Sequence, residues 1–370
     1  MKRLLFIDDD EKSTQSTINS LKRKIPDFDH KMGNFREAKT LLNSFQPDAV
    51  ILDLLDGTPS NAKIEGLKTY ELIWENRFCP IVIYSAEPQH VTEHLDHPFI
   101  KSVQKALRGP SDLVKALAKL LPHVTAIKDA EKIIRQQFSD ALRDVAPHAF
   151  SEYKDETQRK EAILRSGRRR LAALMDEPLA PDEKLASWEK YLCPPIGKNL
   201  KLGDIICLIG SKETDSKLSP PESHRVILTP SCDLAAGGSR EPKVKNVLVA
   251  HCCSSESGIQ LLNISTNKSK RKDSLKKILS SGYHDFLIPL PSLEGRIPNM
   301  MVNLKNLELI TISKKGSLQK KYSRIASIDS PFRELISWAY MQVACRPGLP
   351  DRNFEGWSDE IIKSLPSGQG

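Results

Sequence analysis

Over the first 122 residues, short apolar runs alternate with amphipathic stretches, and this alternation limits the fold more than any other feature of the chain. The apolar runs fall at residues 4–7, 28–33, 49–52, 81–84 and 99–103. Between them lie helical patterns at 11–23, 35–45 and 67–76, a short segment near 90–94, and a last one at 111–121. Strands that alternate with helices in this way predict a parallel sheet covered on both faces. The expectation is an α/β domain over residues 1–122, a doubly wound five-stranded parallel sheet. Pro110-Ser111-Asp112 marks the start of its last helix, and Pro122 is expected to end it.

Two further regions follow. Residues 123–197 read as a helical connector, with Ile127, Ile133, Ile134, Phe138, Leu142 and Val145 at helical spacing. A second helical pattern, after Pro147 and a polar stretch, carries Arg165, Arg168, Arg169 and Arg170. That run is either a solvated helix face or a phosphate-binding patch. From 198 to 370 the texture is β-rich, with runs at 205–209, 226–228, 247–250, 258–262, 285–290 and 307–312. Gly, Pro, Ser and Lys separate them. This predicts an antiparallel sheet or small barrel, followed by a helix over 331–344 and a second short helix, so the last domain is α+β.

Composition excludes several classes. Of 370 residues 39% are hydrophobic and 28% charged, as in globular proteins. Lys and Arg number 55 against 47 acids, a net charge of +8 that permits a nucleic-acid partner without demanding one. No apolar run approaches the roughly 18 residues of a membrane span, so no membrane partner is expected. The few apolar residues after Lys2 and Arg3 are too short for a secretory signal. Seven scattered cysteines make no disulfide framework. A reduced, cytoplasmic protein is expected.

Chemistry gathers at the predicted strand ends. Asp8 and Asp9 follow the first strand and Asp53 the third, so a parallel sheet would place all three on one edge, where ligands bind. Converging carboxylates repel unless a cation neutralises them, and a hard ion such as Mg2+ suits oxygen ligands. Ser85, followed by the small Ala86, ends the fourth strand, and Lys105 follows the fifth. A hydroxyl and an ammonium there can hold phosphate oxygens.

These residues resemble the receiver domain of two-component response regulators. The resemblance rests on Phe6-Ile7-Asp8-Asp9-Asp10, Val50-Ile51-Leu52-Asp53, Ile81-Val82-Ile83-Tyr84-Ser85-Ala86 and Lys105, in that order and at the family's usual intervals. It implies a phosphorylation-controlled signalling protein of the cytoplasm, bacterial and part of a phosphorelay. By the same resemblance Asp53 is the phosphoacceptor and Asp8, Asp9, Asp53 and the backbone carbonyl of Leu55 are Mg2+ ligands. Ser85, with Ala86 beside it, would be the switch hydroxyl, Lys105 the cation that pairs with the phosphoryl group, and a histidine-kinase-like protein the phosphodonor. Lys101 competes with Lys105 for that place. The chain departs from the family at Leu54-Leu55-Asp56-Gly57 (usually Met-Pro), at Ala106 (usually proline) and at Ser102 (usually aromatic). The connector is a candidate homodimer contact.

The C-terminal region has no Walker loop, GxSxG, HExxH or CxxC pair. Its most distinctive element is Thr229-Pro230-Ser231-Cys232-Asp233-Leu234, with His251-Cys252-Cys253 ending a later strand. If the strands are neighbours, Cys232, His251, Cys252 and Cys253 are candidate Zn2+ ligands; the alternatives are buried structural cysteines or a reactive thiol. Asp233 with Glu241-Pro242-Lys243 superficially matches a metal-dependent nuclease, so a receiver-gated effector enzyme is one alternative function. Lys268, Lys270, Arg271, Lys272, Lys276 and Lys277 form one basic cluster, and Lys314, Lys315, Lys320, Lys321 and Arg324 another. They read as solvated loops or as a track for a nucleic-acid backbone. A scaffold with a degenerate receiver is a further alternative. The Thr229–Leu234 turn and the tail around Arg346-Pro347-Gly348 resemble uncharacterised bacterial and phage-borne proteins. Receiver-like domains of this kind occur in antiphage systems, which implies a place in antiviral defence.

Overall fold

A computed structural model of the protein describes residues 2–25, 27–56, 65–76, 78–91, 97–106, 108–177, 184–209, 219–262, 264, 268–346 and 353–365. The chain forms two compact units, Met1–Pro181 and Asp182–Gly370. They part at 181/182, whereas the sequence reading drew its lines at 122 and 197.

The first unit is built on β1 (Lys2–Ile7), β2 (Phe28–Gly33), β3 (Ala49–Leu52), β4 (Ile81–Ser85) and β5 (Ile100–Gln104). All neighbours are parallel and the order is β2-β1-β3-β4-β5, the doubly wound arrangement. Strand alternation divides the core in two. Leu4, Phe6, Ile51 and Val82 pack beneath α1 (Glu11–Lys22) and the start of α4 (Gly109–Glu152). Leu5, Ile7, Val50 and Ile83 pack against α2 (Ala38–Phe45) and α3 (Gly66–Asn76) on the other face. Residues 57–64 and 92–96, the latter covering part of the short segment expected near 90–94, lie outside the described residues.

Pro122 does not end the last helix; α4 runs through both Pro122 and Pro147. An interior proline costs about 3 kcal/mol. Contacts on both sides of Pro122 offset that cost. Its ring faces solvent, while Leu121 and Val124 are buried in the core. Beyond it Lys128 Nζ pairs with Asp48 Oδ1 at 2.5 Å, and Asp48 Oδ2 accepts the Arg3 N–H at 2.8 Å. Then α5 (Glu156–Asp176) doubles back on α4 as a hairpin: Gln137 Nε2 donates to the Leu174 carbonyl, and Gly167 lets Leu142 come close.

The second unit holds an antiparallel seven-stranded sheet in the order β10-β11-β9-β8-β7-β12-β6. Its strands are β6 (Tyr191–Leu192), β7 (Asp204–Leu208), β8 (His224–Ile227), β9 (Asn246–Ser254), β10 (Leu287–Leu290), β11 (Met300–Thr311) and β12 (Tyr322–Ile328). The helices are α6 (Ser231–Leu234), α7 (Ser255–Leu261), α8 (Lys268–Ser281), α9 (Phe332–Ala344) and α10 (Phe354–Ser364). Two expectations are corrected. The run at 258–262 is helical: Ser254 caps α7, accepting the Ser257 N–H at 3.1 Å, and Gly258 lies where a Cβ would meet Met301 Sδ at 2.3 Å. The first basic cluster lies on α8 and is not a loop. No helix among the described residues is long and apolar enough to cross a membrane, and all seven cysteines are free.

Candidate functional site

Parallel strands bring their carboxyl ends to one edge, and the chemistry-bearing residues stand there. Asp8 and Asp9 follow β1, Asp53 follows β3, Ser85 closes β4 and Lys105 follows β5. Backbone bonds lock the edge: Asp8 N–H to the Gly33 carbonyl at 3.0 Å, Asp53 N–H to Ile7 at 2.9 Å and Lys105 N–H to Ser85 at 2.8 Å. Asp10 caps α1, accepting the Lys12 and Ser13 N–H groups, and its own N–H donates to Asp8 Oδ1 at 3.0 Å.

Asp8, Asp9 and Asp53 offer oxygens that all lie within 4.8 Å of one another, and this is the sole such group among the described residues. Lys105 Nζ sits 2.7 Å from Asp8 Oδ2 and 2.5 Å from Asp53 Oδ2. Asp53 Oδ1 accepts the N–H groups of Leu54 at 2.6 Å and Leu55 at 3.3 Å. Both oxygens of Asp53 are therefore held. Burial pushes the Asp8 carboxyl above its ordinary range, against the pull of Lys105. For Lys105 burial works downward, but Asp8 and Asp53 outweigh it and its pKa is raised. Lys101, the competing lysine, pairs with Val82 in mid-strand.

Ser85 is fully buried and its Oγ has no hydrogen-bond partner. An orphaned hydroxyl is unfavourable unless something meets it in another state. Ala86 is exposed beside it, and its carbonyl accepts from Gln104 Nε2 at 3.2 Å. A cavity of about 530 Å3 opens beside the acids, walled also by Asn34, Phe35, Arg36 and Asp56. No sequence signal marked Asn34, Phe35 or Arg36 as part of the site. Nor did one mark Gly66, where a Cβ would stand 2.4 Å from the Asp53 carbonyl oxygen and 2.3 Å from Leu54 Cα.

The acid group fits a hard cation: three carboxylates converge, and one of them is disfavoured in its charged form. Asp8, Asp9 and Asp53 are the groups that could hold such a cation.

The C-terminal candidates do not converge. Cys232, His251, Cys252 and Cys253 form no metal-holding group among the described residues, so the Zn2+ alternative gains no support. The strand period is the reason. Cys252 faces the core with Ala250, while His251 projects from the opposite face, its Nε2 3.1 Å from Glu308 Oε2. Cys232 sits on α6 beside Asp233, whose carboxylate pairs with Lys243 at 3.4 Å. Burial raises the Cys252 and Cys253 thiols, so neither is a ready thiolate. Glu241, required by the nuclease reading, is exposed in the loop before β9.

Of the basic clusters, Lys272, Lys276 and Lys277 are exposed on α8, Lys270 and Arg271 belong to the same helix, and the side chain of Lys268 lies outside the described residues. Arg324 is no surface cation. It pairs with the fully buried Asp204 at 2.7 Å, while Ser327 Oγ donates to Asp204 Oδ1 at 2.6 Å.

No family model and no curated protein matches the chain. Solved structures similar to it include a two component transcriptional regulator AraC from Clostridium phytofermentans, at 19% identity over 35% of this chain and 99% of that one, TM-score 0.27. Others are the chemotaxis protein CheY4 of Vibrio cholerae (21%, 32% and 98%, TM-score 0.26) and a Francisella response regulator receiver domain (19%, 33% and 99%, TM-score 0.27).

Proposed function

We propose that this chain is a response-regulator-type signalling protein in which Asp53 accepts a phosphoryl group from a histidine-kinase-like donor. One observation carries the reading: Lys105 bridges Asp8 and Asp53 beside a third carboxylate, on the sheet edge that also carries the unpartnered hydroxyl of Ser85. Asp53 is the nucleophile: a carboxylate oxygen bonds to phosphorus as the donor's N–P bond breaks, leaving an acyl phosphate. The Leu54 and Leu55 N–H groups fix the carboxylate's orientation. Lys105 can transfer its ammonium from the carboxylates to the entering oxygens, and Ser85 Oγ can donate to one of them. Mg2+ held by the acids and the Leu55 carbonyl would neutralise charge on the phosphoryl group.

The signal then has a physical route. Tyr84 precedes Ser85, and its ring lies 5.8 Å from Lys105 Nζ. Gly109, first residue of α4, abuts the same tyrosine: a Cβ there would stand 2.8 Å from its hydroxyl. Movement of Ser85 and Lys105 would thus reach the helix that continues into the hairpin. The exposed Ile133, Ile134 and Phe138 on α4 favour homodimerisation through that hairpin. Nucleic acid as a partner rests on the exposed lysines of α8. A place in antiphage defence rests on the occurrence of receiver-like domains resembling this one in such systems.

The test is intact mass after incubation with acetyl phosphate and Mg2+. Wild type should gain roughly 80 Da, one phosphoryl group, and Asp53→Asn should gain nothing. No gain with acetyl phosphate or with a histidine-kinase donor would favour the degenerate scaffold.

A further inference from the structure

The second unit contains a cavity of about 580 Å3 with no role in the reading above. Its walls are mainly apolar, among them Ile259, Leu275, Leu279, Met300, Met301 and Phe332, with Ser187, Ser255 and Asn299 as polar members. Into this lining comes one cation, Lys190. Its Nζ donates to the Pro289 carbonyl at 3.2 Å and lies 5.2 Å from the Phe332 ring centroid. Among the described residues no carboxylate lies within ion-pair distance of it. Burial alone lowers its pKa to about 8, which still leaves it mainly protonated at neutral pH.

A lysine kept only for structure would be expected to pair with an acid or reach water, because an unpaired desolvated ammonium is costly. Here the ammonium has a carbonyl, a ring face and a cavity. The volume lies within the range of pockets for small organic ligands. One positive charge in an apolar enclosure is complementary to a ligand with one negative charge and a hydrocarbon body.

We infer that the second unit binds a small amphipathic carboxylate, its tail against the methionine and leucine wall and its head on Lys190. The probe is decanoate, titrated calorimetrically into the full chain below its micellar range, beside octanoate, decanol and decyltrimethylammonium. Decanoate should bind at least tenfold tighter than decanol, and the cation should not bind. Each added methylene should raise affinity roughly three- to fourfold. Lys190→Met should weaken decanoate about 10- to 100-fold while leaving decanol binding and the melting temperature near wild type. That retained decanol binding separates loss of the head-group contact from loss of fold. Leu279→Trp, which fills one wall, should weaken both ligands. Equal affinity for decanoate and decanol, undiminished decanoate binding to Lys190→Met, no effect of Leu279→Trp, or no binding to wild type would each overturn the inference.

Discussion

Lys105 holds together two carboxylates that would otherwise repel, and that balance has a measurable pH signature. Asp8's carboxyl is raised by burial, so in the folded state its ionised form is disfavoured. A raised acid binds its proton more readily folded than unfolded; its penalty is present at neutral pH and relieved as pH falls toward its raised value. Asp8→Asn should therefore raise the melting temperature at pH 7.5. The advantage should vanish in acid, as a pair of pH-dependent melting series would show. Arg324 behaves oppositely. Asp204 is fully buried, and Arg324→Met would strand its charge. The expected loss is about 3–5 kcal/mol by urea denaturation, with partial recovery when Asp204→Asn is added. Nothing in the bare sequence separates Arg324 from the neighbouring lysines 320 and 321. Its role appears only when β12 lies beside β7. The acids at the sheet edge were legible because each closely follows an apolar strand, and Lys105 because its interval to Ser85 resembles the receiver family's.

Element by element, sequence patterns served where burial is uniform and failed where it is shared. Each of the five strands of the parallel sheet was legible, most plainly β3 and β4, whose residues are all buried. The antiparallel sheet was legible only in outline. β12 reads as polar because Arg324 and Ser327 serve a buried carboxylate, and the segment at 258–262 reads as a strand because its apolar residues are too few to fix a period. Proline suggested a break in α4 that tertiary packing at Leu121 and Val124 overrides. Gly66 of α3 lies close against the backbone of Asp53 and Leu54. Gly66→Ala should cost about 1–3 kcal/mol. It should also slow phosphoryl uptake at Asp53 in the intact-mass assay, since the loop that orients the carboxylate must shift; unchanged uptake would mean the helix yields instead.

For the whole molecule, the exposed apolar side chains of the hairpin predict association. Ile133, Ile134 and Phe138 are 40–45% exposed along α4, more than a solvated helix face needs. Sedimentation should find a dimer that Phe138→Asp shifts toward monomer, by at least tenfold in dissociation constant, without changing the melting temperature of the dilute protein. The unbroken run of α4 also has a mechanical meaning. At 1.5 Å per residue its 44 residues make a rod of about 65 Å. Its first third is packed on the sheet, and roughly 45 Å extends beyond Pro122. A tilt of only 5° where Gly109 meets Tyr84 would swing the far end by about 6 Å, close to one helical turn. A sub-ångström adjustment around one aspartate can thus emerge, a helix length away, as a displacement large enough to make or break an interface.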